Sequence, residues 1–131
     1  MRIDVRSLPG IALLLTLVAL LGMLMSCAEA PRLDIAGLPV HHGQAQVAIQ
    51  GQEFVPRVLV VAPGTRVTWM NKDALVHSVT EGRNADAVPG GFNSGPLTGG
   101  QSWSHTFDKP GTYQYTCAYH PDMNGFIVVK K

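Results

Sequence analysis

The chain has 131 residues and a formal net charge of +1 with its histidines neutral. It is sized for one domain and carries no basic excess of the kind that nucleic acid selects. Only 15% of its residues are charged, whereas 14 glycines and 9 prolines interrupt it; this excludes a long helical rod and favours short strands joined by turns.

In chain order, the first element is "MRIDVRSLPG", with Arg2 and Arg6, followed by the uncharged, mostly apolar run from Ile11 to Met25. A basic start before an apolar run of this length reads as a secretory signal peptide over residues 1–26. The run ends in "LMSC", Leu24 to Cys27, which is similar to the lipobox of bacterial lipoproteins. That similarity implies a lipid on Cys27 as the membrane attachment point and mature N-terminus. The alternative is an uncleaved anchor, because the uncharged span from Ser7 to Ala28 can cross a hydrocarbon layer of about 30 Å. Both readings put the domain outside the cytoplasm, in the periplasm or at the outer cell surface, beside a membrane. Cleavage after Ser26 leaves eight basic and eight acidic residues, a mature chain of zero net charge. With Cys27 lipidated, Cys117 is a lone thiol in an oxidising compartment, where an unused thiol is a liability.

Residues 27–45 show no clear period. They are expected to form a flexible tether with a reach on the order of 20 Å, in which His41 and His42 are a solvated pair. From Gln46 the pattern is β. "QVAIQ" places Val47 and Ile49 on one face; "RVLVVAPG" is a strand closed by Pro63-Gly64. "TRVTWMN" puts Val67 and Trp69 together, "HSVT" is short and β-branched, and "QSWSHTF" aligns Trp103, His105 and Phe107. "TYQYTC" and "GFIVVKK" complete the set. The Gly-, Asn- and Pro-rich segment between Thr80 and Gly100 is a long connection, anchored in the core by Phe92 and Leu97. The expectation for residues 46–131 is an all-β fold, a sandwich of about seven to eight short strands.

"YTCAYHPDMNG", Tyr115 to Gly125, sets Cys117, His120 and Met123 at C-x2-H-x2-M spacing. Thiolate and thioether are soft ligands that favour Cu(I), and imidazole suits both copper oxidation states. Two imidazoles, one thiolate and a weak axial thioether make a type 1 copper site. A second histidine must come from elsewhere in the chain, and His77, after the strand "TRVTWM" and the turn "NKDALV", is the best candidate. Taken singly, Cys117 reads equally as an inert buried thiol, Met123 as core filler and His77 as a satisfied polar group. Their joint spacing favours the metal. His105, aligned with Trp103 and Phe107, reads as structural.

Two stretches, "EFVPRVLVVAPGTRVTWMNKDALVHSVTEG" and "FNSGPLTGGQSWSHTFDKPGTYQYTCAYHPDMNGFIVV", resemble the two halves of a small cupredoxin over about residues 46–130. The short ligand loop has the length found in the amicyanin branch of that family. The resemblance implies a Greek-key β-sandwich holding one type 1 copper ion, with His77 and His120 as imidazole ligands, Cys117 as thiolate and Met123 as axial thioether. Two positions depart from the common pattern. Ser78 stands where many relatives have an Asn that ties the ligand loops together, and Tyr119 stands where a Pro often precedes the second His.

With one copper and no second cluster of histidine pairs, an electron carrier is expected rather than an enzyme. The alternative is an extracytoplasmic copper-binding protein for storage, delivery or sensing. A carrier of this type implies a monomer with transient redox partners. Its docking face is expected around His120, with Tyr119, Pro121 and Leu75.

Overall fold

A computed structural model describes residues 32–131; the expected signal peptide, the apolar run and Cys27 lie outside the described residues. Residues 35–131 form one unit of ten strands in two sheets: β1 (Val40–His41), β2 (Gln44–Gln50), β3 (Glu53–Val55), β4 (Val58–Val61), β5 (Thr65–Asn71), β6 (Thr80–Arg83), β7 (Asp86–Ala87), β8 (Ser102–Phe107), β9 (Gly111–Thr116) and β10 (Asn124–Val129). One sheet runs β1-β4-β10-β9-β6-β7 and the other β3-β2-β5-β8. The all-β sandwich of the sequence reading is the observed fold. No helix occurs among the described residues.

Alternation builds the inner faces. In β2, Ala45, Val47 and Ile49 point inward, and in β5 Thr65, Val67, Trp69 and Asn71 do. This is the period-2 burial of a sheet with one face on the core. β4 differs: it lies between two parallel neighbours, β1 and β10, and Leu59, Val60 and Val61 are all buried. A strand covered on both faces needs such an unbroken apolar run. Trp69 is fully buried and meets the rings of Tyr115 at 5.4 Å, Trp103 at 5.6 Å and Phe107 at 6.2 Å between centroids. Phe92 and Leu97 anchor the long connection as expected, Leu97 buried and Phe92 packed on the core. Gly125 lies opposite Tyr115 across β9 and β10. A Cβ there would come 2.5 Å from the Tyr115 ring, so the buried tyrosine fits only against glycine.

Three expectations change. The number of strands is higher, because β1, β3 and β7 are only two or three residues long, too short to show a period. The tether does not reach residue 45: β1 and the start of β2 fall within it. Half-buried His41 is part of β1, its carbonyl accepting from the Ala62 amide at 2.8 Å and the Thr65 hydroxyl at 3.3 Å. Finally, "HSVT" is not a regular strand. β6 begins only at Thr80, where it pairs with Thr116. Before that, the Ser78 amide donates to Cys117 Sγ and the Val79 amide to Ser94 Oγ. Side-chain acceptors take the place of the ladder.

Candidate metal centre

Two segments converge. The first follows β5 from Asn71, the last inward-facing residue of that strand, to His77. Asn71 is buried, and its Nδ2 donates to the carbonyls of Leu75 and Leu97, both at 2.8 Å, while its Oδ1 accepts from the Asp73 amide at 2.9 Å. One side chain thus holds a whole turn, as short amides do where the backbone lacks a ladder partner. His77 and Leu97 then exchange backbone hydrogen bonds of 3.0 and 2.8 Å. The second segment follows β9. The Cys117 amide donates to the Met123 carbonyl and the Met123 amide to the His120 carbonyl, each at 3.0 Å. The Thr116 hydroxyl also donates to the Met123 carbonyl, at 3.2 Å. These bonds fold residues 117–123 back on themselves, bringing Met123 beside the cysteine, with its side chain in the core cluster.

The segments meet at sulfur. Cys117 Sγ lies 3.7 Å from His77 Nδ1 and 3.5 Å from His120 Nδ1. The three ligand atoms fall within 4.8 Å of one another, and the two imidazole rings are 4.7 Å apart. First-row metal bonds of about 2.0 Å to nitrogen and about 2.3 Å to sulfur, at angles between tetrahedral and trigonal, place N and S about 3.5–3.8 Å apart. The observed spacings fit one ion among the three residues. Cys117 and His77 are wholly buried and Met123 nearly so, whereas His120 is partly exposed. Among the described residues Cys117 is the free cysteine.

The shell around these residues is directional. Ser78 Oγ accepts from the Ala118 amide at 2.9 Å and shares a hydrogen bond with Thr80 Oγ1 at 3.0 Å, and the Ser78 amide donates to Cys117 Sγ at 3.4 Å. The short hydroxyl therefore links the two ligand segments itself. Asp73 Oδ2 lies 3.0 Å from His77 Nε2, and the same carboxylate accepts from the amides of Gly51 at 2.7 Å and Gln52 at 2.9 Å. The Gln52 amide chiefly holds the Asp73 carboxyl below its usual value, with Gly51 and His77 adding to this and burial opposing it. Burial pushes His77 below the ordinary imidazole value, opposed by its bond to Asp73 and reinforced by the charge of His120.

An open cleft of about 500 Å³ lies beside the ligand loop, with Tyr119, His120 and Pro121 on one side and Gly51, Gln52 and Phe54 on the other. Tyr119 is 47% and Leu75 52% exposed, and Pro121 is exposed, but Leu75 does not line this cleft. Sequence reasoning named His77, Cys117, His120 and Met123, which the structure brings together. It missed Asp73, Asn71 and Thr80, whose types in "NKDA" and "HSVT" are those of any polar turn.

Two imidazoles and a thiolate on loops of a β-sandwich define the class: a protein with a mononuclear soft-metal centre. Residues 41–130 match the family model for copper binding proteins of the plastocyanin/azurin family, and the chain belongs to that family. It is 34% identical to amicyanin-alpha of Methylorubrum extorquens over 88 residues, 67% of this chain and 73% of the relative. It is 33% identical to amicyanin of Paracoccus denitrificans over 108 residues, 79% of this chain and 76% of the relative. Among solved structures, a purple cupredoxin from Nitrosopumilus maritimus superposes with a TM-score of 0.60 at 32% identity, covering 66% of this chain and 99% of that one. His77, Cys117, His120 and Met123 are positioned to form a single copper site.

Proposed function

We propose that this chain is an extracytoplasmic single-electron carrier with a type 1 copper site, held at a membrane by lipid on Cys27. The observation that carries the reading is the burial of Cys117 between His77 Nδ1 and His120 Nδ1 at 3.7 and 3.5 Å. His77, Cys117, His120 and Met123 would hold the metal, two imidazoles, a thiolate and a thioether being the donor set of a type 1 copper site. Bound copper supplies the one-electron Cu(II)/Cu(I) couple. The chain supplies the rest. Burial of Cys117 and His77 keeps water off the thiolate. The Ser78 amide at Sγ stabilises negative charge on sulfur. Hydrogen bonds that fix the ligand residues leave little for them to rearrange when the charge changes.

His120 is the ligand residue with an exposed edge, flanked by Tyr119 and Pro121. These two, with Leu75, are proposed as a small apolar face for brief encounters with redox proteins.

The test is to add Cu(II) to the detergent-solubilised full chain. The expected result is an intense visible sulfur-to-copper charge-transfer band that disappears on reduction and returns on oxidation. Cys117→Ser should abolish the band and leave the sandwich folded. A pale nitrogen–oxygen spectrum in the wild type would overturn the reading. Copper transfer to an apo-acceptor that outpaces electron exchange would replace it with storage or delivery. Fatty-acid labelling checks the anchor: a wild-type protein that takes up no label and retains residues 1–26 is a signal-anchored one.

A further inference from the structure

Asp73 stands four residues before His77 in the turn that leaves β5, and its carboxylate joins two parts of the chain far apart in sequence. One oxygen, Oδ1, accepts from the Gly51 amide, and Oδ2 accepts from the Gln52 amide. Both amides belong to the turn between β2 and β3. Oδ2 also faces His77 Nε2 at 3.0 Å. An ionised carboxylate only accepts hydrogen bonds. His77 Nε2 must therefore carry the ring proton, and Nδ1, 3.7 Å from Cys117 Sγ, is left with its lone pair directed at the thiol. The two amides hold the carboxylate toward the ring, and the Asp73 side chain keeps only 16% exposure. A carboxylate behind a metal-binding imidazole fixes the tautomer and raises the basicity of the ligand.

We propose that Asp73 is the positioning residue of the metal centre, locking His77 in the tautomer that presents Nδ1 beside Cys117 and biasing the centre toward its more positive oxidation state by its negative charge. The proposal rests on the copper reading above for its redox half and on the hydrogen-bond geometry alone for its tautomer half. The turn of Gly51 and Gln52 is part of the device. Its amides add two hydrogen bonds to the one from His77 and so fix the carboxylate's orientation.

Two measurements test it. In the metal-free full chain, ¹⁵N-labelled at histidine, the wild type should show His77 Nε2 as the protonated nitrogen with a slowly exchanging proton. Asp73→Ala should give mixed tautomers and fast exchange. In the copper-loaded chain, Asp73→Asn keeps the shape and removes the charge. It should shift the reduced-to-oxidised ratio about tenfold toward Cu(I) at a fixed solution potential, which is about 59 mV for a one-electron couple. Thr68→Ala is the control, because it removes a hydroxyl pair with Ser104 between β5 and β8, away from the ligand residues, and should leave the potential unchanged while lowering stability. A wild-type His77 protonated on Nδ1 overturns the proposal, as does an Asp73→Asn potential that moves no more than that of Thr68→Ala. Should the wild type lack the sulfur charge-transfer band, the copper reading fails by itself, and the metal-free histidine measurement decides the role of Asp73.

Discussion

β5 carries two different kinds of interior within one turn of its pleat. Trp69 faces inward among Tyr115, Trp103 and Phe107. Two residues on, Asn71 faces the same way but into a neighbourhood of buried polar groups, with His77, Ser78 and Thr80 beyond it. The aromatic region is held by non-directional burial, which many packings of similar volume would satisfy. The ligand region buries groups that are costly to bury unless each finds a partner, and each has one. The first region supplies stability, and the second converts it into fixed positions for nitrogen and sulfur.

That contrast can be broken by mutation. Trp69→Ala should have the largest effect, a loss of about 3–5 kcal/mol in the denaturant unfolding of the metal-free chain. If the variant still folds at low temperature, its copper spectrum should resemble that of the wild type, because no Trp69 atom bonds to the ligand segments. A variant that folds with full stability and a changed spectrum would show that the two regions are not separable.

Ser78→Ala should cost less, about 1–3 kcal/mol, since it removes two hydrogen bonds, the acceptor of the Ala118 amide and the buried pair with Thr80. Its signature should be spectroscopic. With the link between the segments gone, the Ser78 amide and Cys117 Sγ move relative to one another, and the visible band should shift or broaden. A variant with normal stability and an unchanged band would mean that the hydroxyl does not tie the segments together.

The smallest effect is selective loosening by acid. His77 in the folded metal-free chain titrates below its ordinary value of 6.5. Its contribution is therefore complete above that pH and is lost as pH falls toward the depressed folded value. The same sign applies to Asp73 below 3.8. Burial moves the Tyr115 hydroxyl upward, away from the acid range. Amide protection factors at residues 71–80 should drop below pH 6.5 while those of β2 and the first half of β5 hold. A uniform fall across both regions would erase the distinction. Bound copper, by occupying Nδ1, should delay the loss to lower pH.

The aromatic region was legible because its signal is periodic. Val67 and Trp69, or Trp103, His105 and Phe107, declare a shared face by alternation alone. Strands of two or three residues escaped notice because alternation needs more positions to register. The tether is shorter than its lack of period suggests, because Val40 and His41 pair with residues twenty positions later, in β4. The ligand types were legible for a different reason. Cys117, His120 and Met123 sit on one short loop, and that combination of soft donors has few other uses.

The sequence by itself determined an all-β chain, the inward faces of its long strands and the donor set of a copper site, since these depend on residue type and near-neighbour spacing. Tertiary structure alone decided how His77 comes to Cys117 across a separation of 40 residues, and that Ser78 bridges the two segments by its own hydroxyl. It also decided that Asp73, an ordinary turn residue in the sequence, reaches both His77 and a turn 21 residues away. Hydrogen bonds of this kind depend on position to a few tenths of an ångström, and such positions exist only once both sheets have packed.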